Sequence, residues 1–119
     1  MTDKIVITIA CGTDDPNRST RGLMLAMAAH KEGKQVSVFL LDEGVNLARE
    51  GVVENLRAAT GDSADDHMAY LQAHGVSILV CTPCAVARQI KPEDMVEGAE
   101  MATAADLVRL SCEGASINL

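Results

Sequence analysis

The sequence has no Trp, one Phe (Phe39) and one Tyr (Tyr70) among 119 residues, so it lacks the aromatic faces on which single-stranded nucleic acid stacks. Cations are also scarce. Ten Lys plus Arg stand against seventeen Asp plus Glu, a net charge of −7, whereas binding a phosphate backbone needs clustered positive charge. Direct nucleic-acid binding is therefore not expected. Long apolar runs are missing too: Val38–Leu41 and Ile78–Cys81 are a few residues each, where a membrane-spanning helix needs about twenty. The start, Met1-Thr2-Asp3-Lys4, leads directly into an apolar segment without the basic region, long apolar stretch and small-residue cleavage site of a secretory leader. The expected location is cytoplasmic. Four cysteines (Cys11, Cys81, Cys84 and Cys112) are too few for a disulfide-built scaffold and are expected to stay reduced in a cytosol.

What is present is ordinary globular composition, 48% hydrophobic and 23% charged, well clear of the range in which chains stay disordered. The length predicts one domain over residues 1–119. Lys4–Cys11 is a β-branched run ending at Gly12, which predicts a buried parallel strand. Asp14-Asp15-Pro16 supplies a capping acid and a first-turn proline for a helix over about 16–32, closed by Gly33. Gln35–Leu41 predicts a second strand, closed by Asp42-Glu43-Gly44. Residues 45–60 show mixed apolar spacing interrupted by Gly51 and predict no definite element.

Ser63 with Asp66 is a variant capping box before a helix that Gly75 stops. Val76–Cys81 predicts the third strand. Thr82-Pro83 reads as cap and first helical position of a short helix over Ala85–Gln89, broken at Lys91-Pro92. Thr103 with Asp106 caps a last helix that Gly114 ends, and Ala115–Leu119 predicts a final strand. Strands separated by helices imply right-handed βαβ units. The expected fold class is α/β, a single-domain three-layer sandwich around a mainly parallel sheet.

In such sheets ligands bind beyond the carboxyl ends of the strands, which directs attention to the junctions after Cys11, Leu41 and Cys81. Cys81 stands before a helix N-terminus, where free N–H groups and the helix dipole are expected to stabilise a thiolate. Cys84 falls in the first turn of the same helix, and Arg88, one turn further on, is expected to add positive charge. A thiolate is both nucleophile and sulfur acceptor, so this place suits thiol chemistry. The plainer alternative is that each cysteine packs as a small hydrophobe; the CxxC spacing argues against it for Cys81, while Cys112 is expected to pack. Cys11 is expected to be buried, within reach of the same rim.

No metal is expected. His30, His67 and His74 lack paired ligand spacing and sit in polar helical stretches, where solvated side chains are the simpler expectation. Gly12-Thr13-Asp14-Asp15 lacks the glycine spacing of a nucleotide loop. Helix capping accounts for its acids more simply than a Mg²⁺ site or a phosphoacceptor does. The acids Glu93, Asp94, Glu97 and Glu100 read as solvated surface or an oligomer contact.

Several segments in order resemble the DsrE/DsrF-like (TusD-like) sulfur-relay family. They are the opening strand with Cys11-Gly12-Thr13-Asp14-Asp15-Pro16, His74-Gly75-Val76 leading to Cys81, Pro92-Glu93-Asp94-Met95-Val96-Glu97-Gly98-Ala99, and Ala104-Ala105-Asp106-Leu107-Val108. The resemblance implies a sheet of about five strands, assembly as homomeric trimers or hexamers or with sister subunits, and no cofactor. It also implies sulfane-sulfur transfer between donor and acceptor proteins, in tRNA thiolation or sulfur oxidation. The family's persulfide-bearing cysteine falls on Cys81. Thr82, Arg88, Gly12 and Thr13 are the expected substrate-binding neighbours, and Met68, Met95 and Met101 are candidate oligomer contacts. Cys84 departs from the single-cysteine pattern and raises two alternatives, a CxxC dithiol redox protein and a non-catalytic oligomerising subunit.

Overall fold

The computed structural model describes residues 3–119; Met1 and Thr2, part of the start considered for a leader, lie outside them. Five strands form one sheet in the order β4-β3-β2-β1-β5, and every pairing is parallel. They are β1 (Lys4–Ile9), β2 (Gln35–Leu40), β3 (Ser77–Cys81), β4 (Ala99–Ala102) and β5 (Ala115–Asn118). The helices are α1 (Pro16–Lys31), α2 (Ala64–Ala73), α3 (Thr82–Ala87) and α4 (Ala104–Glu113). No helix is long and apolar enough to cross a membrane among the described residues.

The central strands are the most apolar because both their faces are covered. Val6, Ile7 and Ile9 of β1, Val38, Phe39 and Leu40 of β2, and Ile78 and Val80 of β3 are all buried. α1 and α2 pack together on one face. Gly22 of α1 lies so close to the Ile9 side chain that a Cβ there would overlap it. α4 connects the two edges of the sheet, from β4 to β5, by crossing the other face over β1, as right-handed crossovers require.

The expected caps recur in the structure. Asp15 accepts from the Arg18 N–H at 3.1 Å, and Thr103 and Asp106 close a reciprocal capping box, each contributing about 1 kcal/mol to its helix. Ser63 also caps α2, but it accepts from the Asp65 N–H and Asp66 makes no return bond there. Three expectations need correction. Residues 42–48 and 53–55 form 3₁₀ turns, short segments whose three-residue period leaves no amphipathic signature. β4 escaped the sequence reading because Ala99-Glu100-Met101-Ala102 contains no β-branched residue and lies on an edge. α3 begins at Thr82, so its cap is Cys81 rather than Thr82, and it ends at Ala87.

Candidate functional site

Register brings the carboxyl ends of β1, β2 and β3 level, with Ile9 beside Leu40 and Leu40 beside Val80. Cys81 ends β3 and is at once the cap of α3, so no loop separates strand from helix. Pro83 fits the first turn of α3, where its missing N–H removes no helical hydrogen bond. Cys84 follows at the third helical position, which folds its side chain back over the helix start. It stands close enough to the Cys81 thiol to push its pKa up. Cys81 is buried, 6% exposed, and Cys84 is the more accessible of the two.

The chain leaving β2 forms the facing wall. Asp42 has φ +48, a left-handed conformation that Asp tolerates better than most residues. The turn is pressed onto the sheet at Gly44, where a Cβ would overlap the Ile9 carbonyl. Asp42 is thereby aimed at the thiols, and Cys84 Sγ donates to Asp42 Oδ1 at 3.8 Å. Next to it Glu43 accepts from Arg88 Nε at 3.0 Å. Arg88 Nη1 also donates to the Cys84 carbonyl at 3.1 Å, closing the end of α3.

These neighbours reverse the expected electrostatics. Burial pushes the Cys81 thiol up, the neighbouring Cys84 side chain and the Asp42 charge add to the rise, and only the Cys84 backbone N–H favours the thiolate. The helix-terminus effect expected from sequence does not prevail, because α3 is six residues long and its start is desolvated. Nor does Arg88 supply free positive charge: Glu43 pairs with it and holds it firmly protonated.

The other expected site residues take varied places. Thr82 donates its hydroxyl to the Ala102 carbonyl at 2.7 Å, tying α3 to the end of β4. Gly12 is buried against the Glu43 carbonyl, and its N–H donates to Asp14 Oδ1 at 2.7 Å. Thr13 is exposed at the rim. Cys11 is buried two residues beyond the end of β1, with β2 between that strand and β3.

Cys112 is exposed rather than packed, since α4 buries none of its residues. His67 is buried rather than solvated, with Nε2 2.7 Å from Asp62 Oδ2. Met68 and Met95 are buried in the core, which leaves only Met101 of the three partly exposed for an oligomer contact. Among the described residues, no group of three or more His, Cys, Asp or Glu side chains is arranged to hold a metal ion.

Asp42 and Glu43 are the functional neighbours that sequence reasoning missed. Their position at the end of the strand beside β3 was the available signal, but Asp42-Glu43-Gly44 also reads as a plain turn. Chemically, two neighbouring thiols beside a carboxylate can form a disulfide or hold a sulfur atom on one of them.

A family model described as the DsrE/DsrF-like family matches residues 3–117. The uncharacterized protein MK0008 of Methanopyrus kandleri is 31% identical over 109 residues, 89% of this chain and 84% of its own. The uncharacterized protein MJ0989 of Methanocaldococcus jannaschii is 31% identical over 108 residues, 88% of this chain and 89% of its own. Among solved structures, the ychN protein from E. coli superposes over the whole of both chains with TM-score 0.80 and 17% identity. MTH1491 from Methanobacterium thermoautotrophicum covers 98% of this chain and 100% of its own with TM-score 0.63 and 19% identity. At these identities the solved structures show the shared fold.

Proposed function

This chain belongs to the DsrE/DsrF-like family, and from that premise we propose that it is a sulfur-relay protein that carries sulfane sulfur as a persulfide on Cys81. The observation that carries the reading is the position of Cys81, a buried strand-end thiol at the start of α3 with the more accessible Cys84 in the first turn beside it. In the loading step the Cys81 thiolate attacks the terminal sulfur of a donor persulfide. A new S–S bond forms on Cys81, the donor's S–S bond breaks, and the donor leaves as a thiolate. In the unloading step an acceptor thiolate takes the same terminal sulfur and Cys81 departs as thiolate. Neither step needs a metal or an organic cofactor.

Burial serves such a carrier. It raises the thiol and so lowers its reactivity towards chance oxidants, while a docked donor can contribute the charge and contacts that free the thiolate. Thr82 and Arg88 hold the two ends of α3 and therefore position the thiols, and Gly12 with Thr13 forms the neighbouring rim. The proposal includes donor and acceptor proteins as partners, a homo-oligomer (trimer or hexamer) or an assembly with sister subunits, a cytoplasmic location, and residues 1–119 acting as one domain.

A second reading, a dithiol redox protein, is favoured by the nearness of Cys84 to Cys81 at the start of α3. The two readings separate on which cysteines are essential. Incubation with ³⁵S-labelled polysulfide and transfer to an acceptor thiol is expected to succeed with wild type and Cys84→Ser and to fail with Cys81→Ser. A redox protein instead needs both cysteines to reduce a disulfide substrate and transfers no label.

A further inference from the structure

A sulfur atom carried on Cys81 has two exits. An acceptor's thiolate can take the terminal sulfur, or Cys84 can attack Cys81 Sγ itself. In the second case the Cys81–Cys84 bond forms and the bond to the terminal sulfur breaks. That sulfur leaves with the electron pair as hydrosulfide, carrying the proton that Cys84 gives up. The two cysteine sulfurs are oxidised by two electrons, the departing sulfur is reduced by two, and a dithiol reductant must reopen the disulfide before the next round.

Cys81 caps α3 and Cys84 lies in its first turn, which keeps this second exit short, so a carrier needs something to hold it back. We infer that Asp42 is that restraint: by accepting the Cys84 S–H it keeps Cys84 from attacking a Cys81 persulfide, so that sulfur is kept for transfer rather than lost as sulfide. The inference rests on the proposed carrier role of Cys81.

Three features of the wall support it. Cys84 Sγ donates to Asp42 Oδ1 at 3.8 Å, and Cys84 must give up that bond and its proton before its sulfur can attack Cys81. The aim of Asp42 is built in, because the turn that gives it φ +48 is clamped by Gly44 against the Ile9 carbonyl. The Arg88 charge is withheld. Its guanidinium donates to the Cys84 carbonyl at 3.1 Å, and Glu43 pairs with it and offsets its charge there.

The test tracks sulfide release from the full-length protein after anaerobic loading with inorganic polysulfide and removal of the excess. Asp42→Asn suits it, because Asn also accepts a left-handed backbone but carries no charge. Sulfide release is expected to be about three- to tenfold faster than from wild type, since the neutral amide holds the Cys84 S–H less firmly than the carboxylate does. The product is the Cys81–Cys84 disulfide. Glu43→Gln, which leaves Arg88 unneutralised beside Cys84, is expected to accelerate release by a smaller factor and provides a second route should Asp42→Asn perturb the turn. Cys84→Ser, alone or with Asp42→Asn, is expected to keep its sulfur. Release from Asp42→Asn at or below the wild-type rate, with Glu43→Gln unchanged, would overturn the restraint while leaving the carrier reading intact. Failure of Cys84→Ser to take up any reducible sulfur would remove the carrier reading, and this inference with it.

Discussion

Cys81 ends β3, whereas β1 stops at Ile9, short of the expected Cys11, which lies two residues beyond it; Cys11 and Cys81 have nearly equal exposure, 7% and 6%, and burial pushes both thiols up. The chain beyond each cysteine differs. After Cys81 a helix starts at once and brings a second thiol near. After Cys11 the chain passes through Gly12 and Thr13 to the acids Asp14 and Asp15, whose charges push the thiol further up, and α1 begins only at Pro16. Gly12 itself is pressed against the β2 turn. On the proposed function, burial beside a strand end does not by itself mark a sulfur carrier; the short strand-to-helix junction that sets Cys84 near Cys81 is the feature that separates the two.

The comparison fails most visibly if the two cysteines exchange roles. Cys81→Ser is expected to abolish sulfur loading, whereas Cys11→Ser is expected to load within about twofold of wild type, as measured by reductant-released sulfide. The largest effect on stability is expected at the turn shared by the two strand ends. In Gly44→Ala the new Cβ meets the Ile9 carbonyl, backbone that cannot give way, and the expected loss is about 3 kcal/mol by urea unfolding. Retention of sulfur on Cys81 should fall with it, since the same turn aims Asp42 at Cys84.

Away from both cysteines, hydrogen bonds from His67, Thr60 and Arg21 hold the Asp62 carboxyl well below the usual carboxylate range. Its folded value lies below its unfolded value, so its contribution is present above about pH 4 and is lost as pH falls further. Asp62→Asn is expected to unfold at a lower temperature than wild type at pH 7, with the gap narrowing towards pH 2, while sulfur loading is unchanged. The smallest effect is expected for exposed Cys112→Ser, within about 0.5 kcal/mol in stability and without change in loading.

Much of this was legible because the central strands and the capped helices announce themselves. Continuous β-branched runs at Lys4–Ile9 and Gln35–Leu40, and caps at Asp15, Ser63 and Thr103, each express a local physical requirement. β4 was not legible, since an edge strand of four residues built on Ala, Glu and Met has its conformation imposed by pairing with β3. Cys81 and Cys84 stood out by spacing and by place, yet the direction of the Cys81 shift was hidden from the sequence. It depends first on burial, then on the neighbouring Cys84 thiol and last on Asp42 reaching across from the end of β2, a contact with Cys84 between residues more than forty positions apart. His67 misled for the same reason: a polar helical neighbourhood in sequence became a buried pair with Asp62 once α2 packed on α1.

The most direct test of the central claim is intact-protein mass spectrometry of wild type, Cys81→Ser and Cys84→Ser after exposure to a persulfide donor, each read with and without thiol reductant. The reductant is essential, because a sulfinic acid adds nearly the same mass as one sulfur atom and is not reversed by ordinary thiols. The account predicts a reductant-reversible gain of one sulfur on Cys84→Ser that is missing from Cys81→Ser. It is contradicted if Cys81→Ser still gains that sulfur, or if wild type yields only a Cys81–Cys84 disulfide while Cys84→Ser gains nothing.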